Sequence, residues 1–175
     1  SNFVLKVLSG SAANIQNERN EFIHALDLEY RGVKKIKAGI SFASNTSENS
    51  AKAVNHLLGF RIAPNLSFMD IYSEYAIRMN SDVKKDLFNN NRNVIGKAFY
   101  TNINFYFNNF SLLSEVKYYD NFNFTSSDGT IQYNTAPAVI RDYAYILLNR
   151  HPHALNQNNE KGFQVEASYS LCENT

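Results

Sequence analysis

The stretch "TNINFYFNNFSLLSEVKYY", residues 101–119, contains two aromatic-rich runs separated by the pair Asn108-Asn109. Polar and apolar residues alternate in both runs, and this period of two predicts β-strands. Asparagine tolerates the positive φ of tight hairpin turns, so the pair is predicted to be the turn of a hairpin. The two faces of such a hairpin meet either a dry core and water, or lipid and a polar lumen. Most of the functional interpretation depends on that choice.

The same alternation recurs along most of the chain and predicts an all-β protein. We expect an antiparallel up-and-down meander of eight or nine long strands that forms all or part of a β-barrel. Residues 1–175 are then one barrel domain, expected to be a fragment of a longer chain. The predicted strands are 2–8, 20–31, 33–42, 53–62, 67–79, 96–107, 110–122, 138–148 and 161–171.

The connections between the predicted strands are sorted by length. Long connections at 9–19, 43–52, 80–95 and 123–137 alternate with short ones near Gly32, at 63–66 and at 108–109, and only the link 149–160 departs from this rule. Alternate connections of a meander lie at the same end, so the long loops gather on one side, as in outer-membrane barrels. Eight of the nine predicted strands have ten to thirteen residues, which is enough for a tilted strand to cross a bilayer, since that needs about 9–11 residues.

In the membrane interpretation the apolar residues face lipid and the polar ones face the barrel interior. Outward positions are predicted for Leu26, Ile40, Ile71, Ile103, Phe105, Leu112 and Val165. The interior is predicted to carry Lys6, Arg31, Lys35, Lys37, Arg61, Arg78, Lys117 and Arg141 together with Asp27, Glu29, Asp70, Glu74, Glu115 and Glu166. Charges of mixed sign suit a lumen in which they pair or stay hydrated. The binding candidates in it are Glu74, Arg78, Glu115, Lys117 and Arg141.

A soluble alternative stays open at this point. An up-and-down barrel in water would place the same charged residues on its solvated face and enclose the apolar ones around a small lipophilic ligand. The sorted loops and the Tyr- and Asn-rich polar faces favour the membrane interpretation. The negative mean hydropathy of −0.37 does not oppose it, because only every second residue of a membrane strand needs to be apolar.

The composition points to no reaction, metal or cofactor. With 17 basic and 16 acidic residues the formal net charge is +1, and no basic patch indicates nucleic acid. The only cysteine is Cys172, and no Gly-rich loop is a candidate for nucleotide binding. The pair His151 and His153 lies in a predicted turn with only Glu160 as an acidic neighbour, which favours a polar loop over a metal site. We therefore predict no catalysis.

The stretch "APAVIRDYAYILLNRHPHALNQNNEKGFQVEASYSL", residues 136–171, resembles the later part of a family of uncharacterised Bacteroidota outer-membrane proteins. In that family a similar "YxLLNRHxH…NxxxGFQxEAxYS" run joins two barrel strands. The resemblance implies an outer-membrane β-barrel in a bacterial outer membrane, with no assigned activity. The expected partners are the lipid bilayer and a protein or glycan at the long loops 43–52, 80–95 and 123–137. A structural, transport or loop-mediated binding role follows from it.

Overall fold

A computed structural model describes residues 2–14, 19–47, 53–80, 94–126, 131–133 and 159–171. These residues form one antiparallel sheet in which every strand pairs with the next one along the chain, and this confirms the predicted all-β meander. The strands are β1 (Phe3–Asn14), β2 (Arg19–Val33), β3 (Ile36–Ser47), β4 (Ala53–Leu66), β5 (Met69–Asn80), β6 (Val94–Phe107), β7 (Phe110–Asp120) and β8 (Asn159–Tyr169). Among the described residues β1 and β8 are the two edges and do not pair, so the sheet is open and is consistent with part of a barrel. No helix in this part of the chain is long and apolar enough to span a membrane.

Three two-residue turns close one end of the sheet. They are Lys34-Lys35, Ser67-Phe68 and Asn108-Asn109, and the last of these confirms the predicted hairpin. Asn108 has a φ of 44°, a conformation that asparagine adopts more easily than most residues. We call this end the short-turn end, and the opposite end, where the other connections lie, the long-connection end.

Two short turns lie further along the chain than predicted. Pro64 lies within β4 and pairs with Ile36 on one side, but the pairing with β5 is interrupted between Ile62 and Asn65. Proline has no N–H to donate to a ladder, so it removes a bond without ending the strand. Gly32 is not a turn residue either, because it lies at a register irregularity between Tyr30 and Val33.

Two of the loops predicted to be long are partly strand. β1 continues to Asn14 and β3 to Ser47, so the predicted loops 9–19 and 43–52 were too long. The residues misassigned to loops are small and polar, "SGSAAN" at 9–14 and "ASNTS" at 43–47. Such residues have weak strand propensity, and pairing with β2 overrides that preference here.

The end of the chain also differs from the predicted order. β7 pairs directly with β8, with Phe110 opposite Tyr169 and Asp120 opposite Asn159. A strand at 138–148 therefore does not lie between them in the sheet, and its own residues fall outside the described part of the chain. The connection from β7 to β8 then spans 121–158, at the long-connection end, so the exception at 149–160 disappears.

The two faces of the sheet differ in chemistry over all eight strands. Residues directly opposite one another share a face, and the apolar face includes the rows Leu5–Leu28–Ile40–Phe60–Tyr75–Phe99–Tyr118 and Phe105–Leu112–Ala167. Many of its large side chains are exposed, with Leu5 at 60% and Phe163 at 80% on the two edge strands. The opposite face, which we call the polar face, carries most of the charged residues.

A small apolar core lies on the polar side of the sheet. The chain leaves β7 through Asn121, which has a φ of 48°, and returns across the polar face. Phe122 packs there against Ala98 and Tyr119, with Leu57 and Ala76 at the margin. We call residues 121–126 with 131–133 the inner segment. Its two parts are joined by a bridge between Thr125 and Gln132.

Candidate functional site

One row of directly opposed residues crosses the polar face and brings opposite charges together. In sequence order it contains Glu29, Gly39, Arg61, Glu74, Tyr100, Lys117 and Gly162. The row places glycine at two positions next to long cationic side chains. Those side chains can then lie flat across a neighbouring strand, because a glycine leaves the space above the backbone empty.

Arg61 on β4 uses this space to reach β2 over the top of β3. Its Nη1 and Nη2 donate to the two carboxylate oxygens of Asp27 at 2.5 and 2.9 Å, and Nη2 also donates to Glu29 at 3.2 Å. A Cβ on Gly39 would lie 2.6 Å from the Arg61 Cζ. The bidentate geometry fixes the guanidinium firmly. It ties β2 to β4 across the intervening β3 through one side chain.

Lys117 on β7 forms the corresponding ion pair near the other edge. Its ammonium contacts Glu160 on β8, and both side chains are nearly inaccessible, with 4% and 8% exposed. A Cβ on Gly162 would lie 2.9 Å from the Lys117 Cε. Removing one member of such a pair leaves an uncompensated charge, so the pair fixes how β7 and β8 meet.

Three other carboxylates of the polar face are held by neutral donors. Tyr72 donates to Glu74 at 2.6 Å, and Glu115 accepts hydrogen bonds from Tyr100 at 2.8 Å and Asn102 at 3.1 Å. Asp70 accepts from Tyr106 at 3.0 Å and from Asn65. Within the described residues none of the three carboxylates forms an ion pair. Their negative charge is therefore not neutralised within β5–β7.

Arg78 holds the start of the inner segment. Its guanidinium donates to the backbone oxygen of Asn123 and, at 3.2 Å, to the side-chain oxygen of Asn121. Gly96 on β6 allows the close approach, because a Cβ there would lie 2.1 Å from the Asn121 carbonyl oxygen. Arg78 thus holds the inner segment in place where it begins to cross the polar face.

The far part of the inner segment is held by buried amides and a carboxylate. The carbonyl oxygen of Thr125 accepts hydrogen bonds from Asn45 at 3.1 Å and Asn55 at 3.3 Å. Glu21 accepts from Tyr133 at 2.8 Å and from Asn45 at 3.2 Å. Asn45 is fully buried and Glu21 is 2% exposed. Buried polar groups need such partners, so these contacts define one position for the segment.

A cavity of about 380 Å³ lies between the sheet and the inner segment. Its volume falls within the range of about 300–1,000 Å³ that small-molecule sites occupy. The floor consists of small residues from neighbouring strands, and the walls are aromatic with one carboxylate, Glu74. The lining includes Ala25, Ala43, Gly59, Ala76, Ala98, Tyr100, Tyr119 and Phe122.

Four of the five predicted binding candidates lie on the polar face, but they do not form one site. Lys117 is paired with Glu160, Arg78 fastens the inner segment, and Glu74 and Glu115 accept from tyrosines. Of these four, only Glu74 lines the cavity. Arg141 lies outside the described residues, as do His151 and His153.

Sequence reasoning missed the residues that hold the inner segment. Glu21 and Asn55 lie near the starts of the predicted strands 20–31 and 53–62, where the period of two places them on the polar face, but nothing marked them as contacts of the inner segment. Asn45 was assigned to the loop 43–52 and Glu160 to the final connection. Continuing the period of two by one residue before the predicted strand 161–171 would have placed Glu160 on the polar face. The pairing of Asn45 with Asn55 gives no such signal, because asparagine is abundant throughout this sequence.

The described residues contain no group of three or more His, Cys, Asp or Glu side chains that could hold a metal ion.

In the comparison with known proteins, the model of one protein family matches residues 1–175. The description of this family is "Family of unknown function (DUF6029)". No curated protein and no solved structure matches the chain.

Proposed function

The chain belongs to this family of unknown function, and we propose that it forms part of a β-barrel in a bacterial outer membrane. In this arrangement the apolar face contacts lipid and the polar face lines the interior. The membrane is that of a Bacteroidota-type bacterium, as the resemblance of residues 136–171 implies. The role is structural, transport-related or loop-mediated binding, without catalysis.

The observation that carries the proposal is the inverted burial of the two faces. On β2 the charged residues Asp27 and Glu29 are half-buried, whereas Leu26 and Leu28 between them are exposed at 42% and 38%. A sheet in water is expected to do the opposite, because exposing contiguous large apolar surface to water costs free energy. Lipid is the solvent in which this arrangement is favourable.

Hydroxyl groups on the apolar face support the same assignment. Ser73 and Thr101 lie opposite one another there, and their oxygens are 2.7 Å apart. The Thr101 hydroxyl donates to the backbone oxygen of Tyr72 at 3.0 Å. Polar groups that face hydrocarbon need partners within the protein, and these two hydroxyls have them.

The inner segment fills part of the proposed barrel interior. It crosses the polar face near the long-connection end and fills space with Phe122 and Phe124, which are both buried. A small barrel leaves little interior room beyond its own side chains. We therefore place the contact surface for a protein or glycan at the long-connection end, outside the filled interior.

Two adjacent leucines allow a direct test. Leu112 lies on the apolar face opposite Phe105, whereas Leu113 lies on the polar face opposite Asn104. Each is replaced by cysteine in a Cys172→Ser background, labelled with an environment-sensitive fluorophore, and reconstituted in liposomes containing lipids spin-labelled on the acyl chain. We expect strong quenching and a blue-shifted emission for the probe at 112 and little quenching for the probe at 113.

The same two variants define the contradicting result. Equal quenching at both positions, or quenching confined to 113, would contradict two different solvents on the two faces. A chain that stays monomeric and folded in buffer without detergent would favour the soluble barrel instead.

A further inference from the structure

From the cavity between the sheet and Phe122 we infer a binding site for a small organic ammonium ion, with Glu74 as its counter-ion. The inference concerns only the polar face and its inner segment. It therefore does not depend on whether lipid or water covers the opposite face.

The floor of the cavity consists of small residues that five neighbouring strands contribute from two adjacent rows of the polar face. These are Ala25 on β2, Ala43 on β3, Gly59 on β4, Ala76 on β5 and Ala98 on β6. At Gly59 a Cβ would lie 2.5 Å from the Ser41 Oγ and 3.8 Å from the Glu74 Oε1. The Ser41 hydroxyl therefore occupies the space directly above Gly59, and it borders the cavity together with the Glu74 carboxylate.

Glu74 has one carboxylate oxygen available to such a ligand. Its Oε2 accepts the hydrogen bond from Tyr72, and within the described residues no hydrogen bond is formed by Oε1. The nearest cation in the row is Arg61, which lies directly opposite Glu74 in the pairing. Its guanidinium turns away and is shared between Asp27 and Glu29. Glu74 thus presents a negative charge to a cavity that is otherwise mostly apolar.

The rings around the cavity favour a cation with an apolar surface. Tyr100, Tyr119 and Phe122 contribute aromatic rings to its lining. Aromatic faces attract cations, and together with a carboxylate they are the usual surroundings of alkylated ammonium groups in proteins. A metal ion is usually held by several carboxylate, imidazole or thiolate ligands, and Glu74 is the only such side chain in the lining. An anion would be repelled by Glu74.

Calorimetric titration of the detergent-solubilised chain with choline tests the inference. We expect saturable binding to the unaltered chain and about tenfold or greater weakening in Glu74→Gln, since a charge-assisted contact is lost without a change in shape. The uncharged isostere 3,3-dimethyl-1-butanol should also bind about tenfold or more weakly. Ala76→Leu fills the floor and should abolish binding of both compounds.

Asp70→Asn is the matched control. Asp70 lies on the same face and accepts from Tyr106 and Asn65, and none of these three residues lines the cavity. Its affinity for choline should equal that of the unaltered chain. No saturable binding by the folded chain, or equal affinities in Glu74→Gln and the unaltered chain, would overturn the inference. Neither result bears on the lipid-quenching test of the two leucines.

Discussion

At the scale of single residues, the glycines of the polar face matter for the space that they leave. Arg61 reaches Asp27 across β3 only because the residue beneath it is Gly39. The same relation holds between Lys117 and Gly162 at the far edge. Each glycine is therefore tied to a charged neighbour on the next strand, and its role depends on that neighbour more than on its own backbone conformation.

We expect Gly39→Ala to destabilise the fold. The new Cβ would lie 2.6 Å from the Arg61 Cζ, so the guanidinium has to leave one or both carboxylates. Hydrogen bonds between charged groups contribute about 1.5–3 kcal/mol, and we expect a loss at the lower end because the groups are partly solvated. Chemical denaturation in detergent micelles gives the free energy of unfolding.

Gly10→Ala is the control for this change. It lies on β1, where an added Cβ would meet nothing within 4 Å. Its effect should be neutral or stabilising by about 0.4–1 kcal/mol, since alanine restricts the unfolded chain. Equal stabilities of the two alanine variants would mean that Arg61 does not hold β2 and β4 together.

At the scale of the elements, each strand separates two environments, and adjacent positions should respond differently to charge. Ile103 lies on the apolar face between Ile71 and Ser114, and Asn104 lies on the polar face between Asp70 and Leu113. Under the proposed membrane arrangement, Ile103→Arg should cost about 2–4 kcal/mol near the bilayer midplane. Asn104→Arg should cost much less, because its guanidinium enters a polar space beside Asp70.

Unfolding of both variants in liposomes measures this difference. The unaltered chain and an Asn104→Gln variant provide the baseline for changes in side-chain size. If the two arginine variants lose the same free energy of unfolding, the two faces do not meet different solvents and the apolar face does not contact lipid.

The strands could be predicted because polar and apolar residues alternate clearly within them. The positions of the strand ends could not be predicted in this way. Residues 101–119 show the period of two in both strands, with Leu113 and Ser114 as exceptions, and both strands and the turn were correct. The strand ends at 9–14 and 43–47 consist of small polar residues whose pairing comes from β2, a long-range contact that a local pattern does not contain. Pro64 suggested a turn, yet the flanking pairs hold it within β4.

The candidate site was less predictable than the strands. Period and charge placed Glu74, Arg78, Glu115 and Lys117 on one face. They gave no indication that the chain after β7 folds back over that face, because its contacts with Asn45 and Asn55 join residues 70 or more positions apart. This return of the chain brings Phe122 to the cavity, whose other lining residues all belong to the sheet.

At the scale of the whole molecule, the inner segment limits the space on the polar side of the sheet. Two side-chain amides, those of Asn45 and Asn55, donate to the same carbonyl oxygen of Thr125. We expect the double variant Asn45→Ala/Asn55→Ala to loosen the segment by about 2 kcal/mol, at about 1 kcal/mol for each neutral hydrogen bond. Hydrogen exchange at the Ser126 and Tyr133 amides, which bond within the segment, should then become about 10- to 30-fold faster.

Asn102→Ala serves as the control for that experiment. Asn102 lies on the same face and donates to Glu115, away from the segment. Its loss should leave exchange at the two amides unchanged. Unchanged exchange in the double variant would show that the segment is held by other contacts, such as those of Arg78.

Electrical recordings address the proposed filled interior. In planar bilayers the reconstituted protein should give no large, stable conductance steps, because the inner segment and the paired charges occupy the polar face. Large and stable steps would overturn the filled interior and identify a channel.

The nearest-neighbour order of the strands has a consequence for how the chain folds. Three hairpins close through two-residue turns, so their strands meet after a search over very short loops. β8 instead joins β7 after the connection 121–158. The free-energy cost of the entropy lost on closing a loop rises by about 0.6 kcal/mol for each doubling of the loop length. Contacts between residues distant in sequence slow folding. We therefore expect β8 to dock late in folding, and the ion pair between Lys117 and Glu160 to form only at that step.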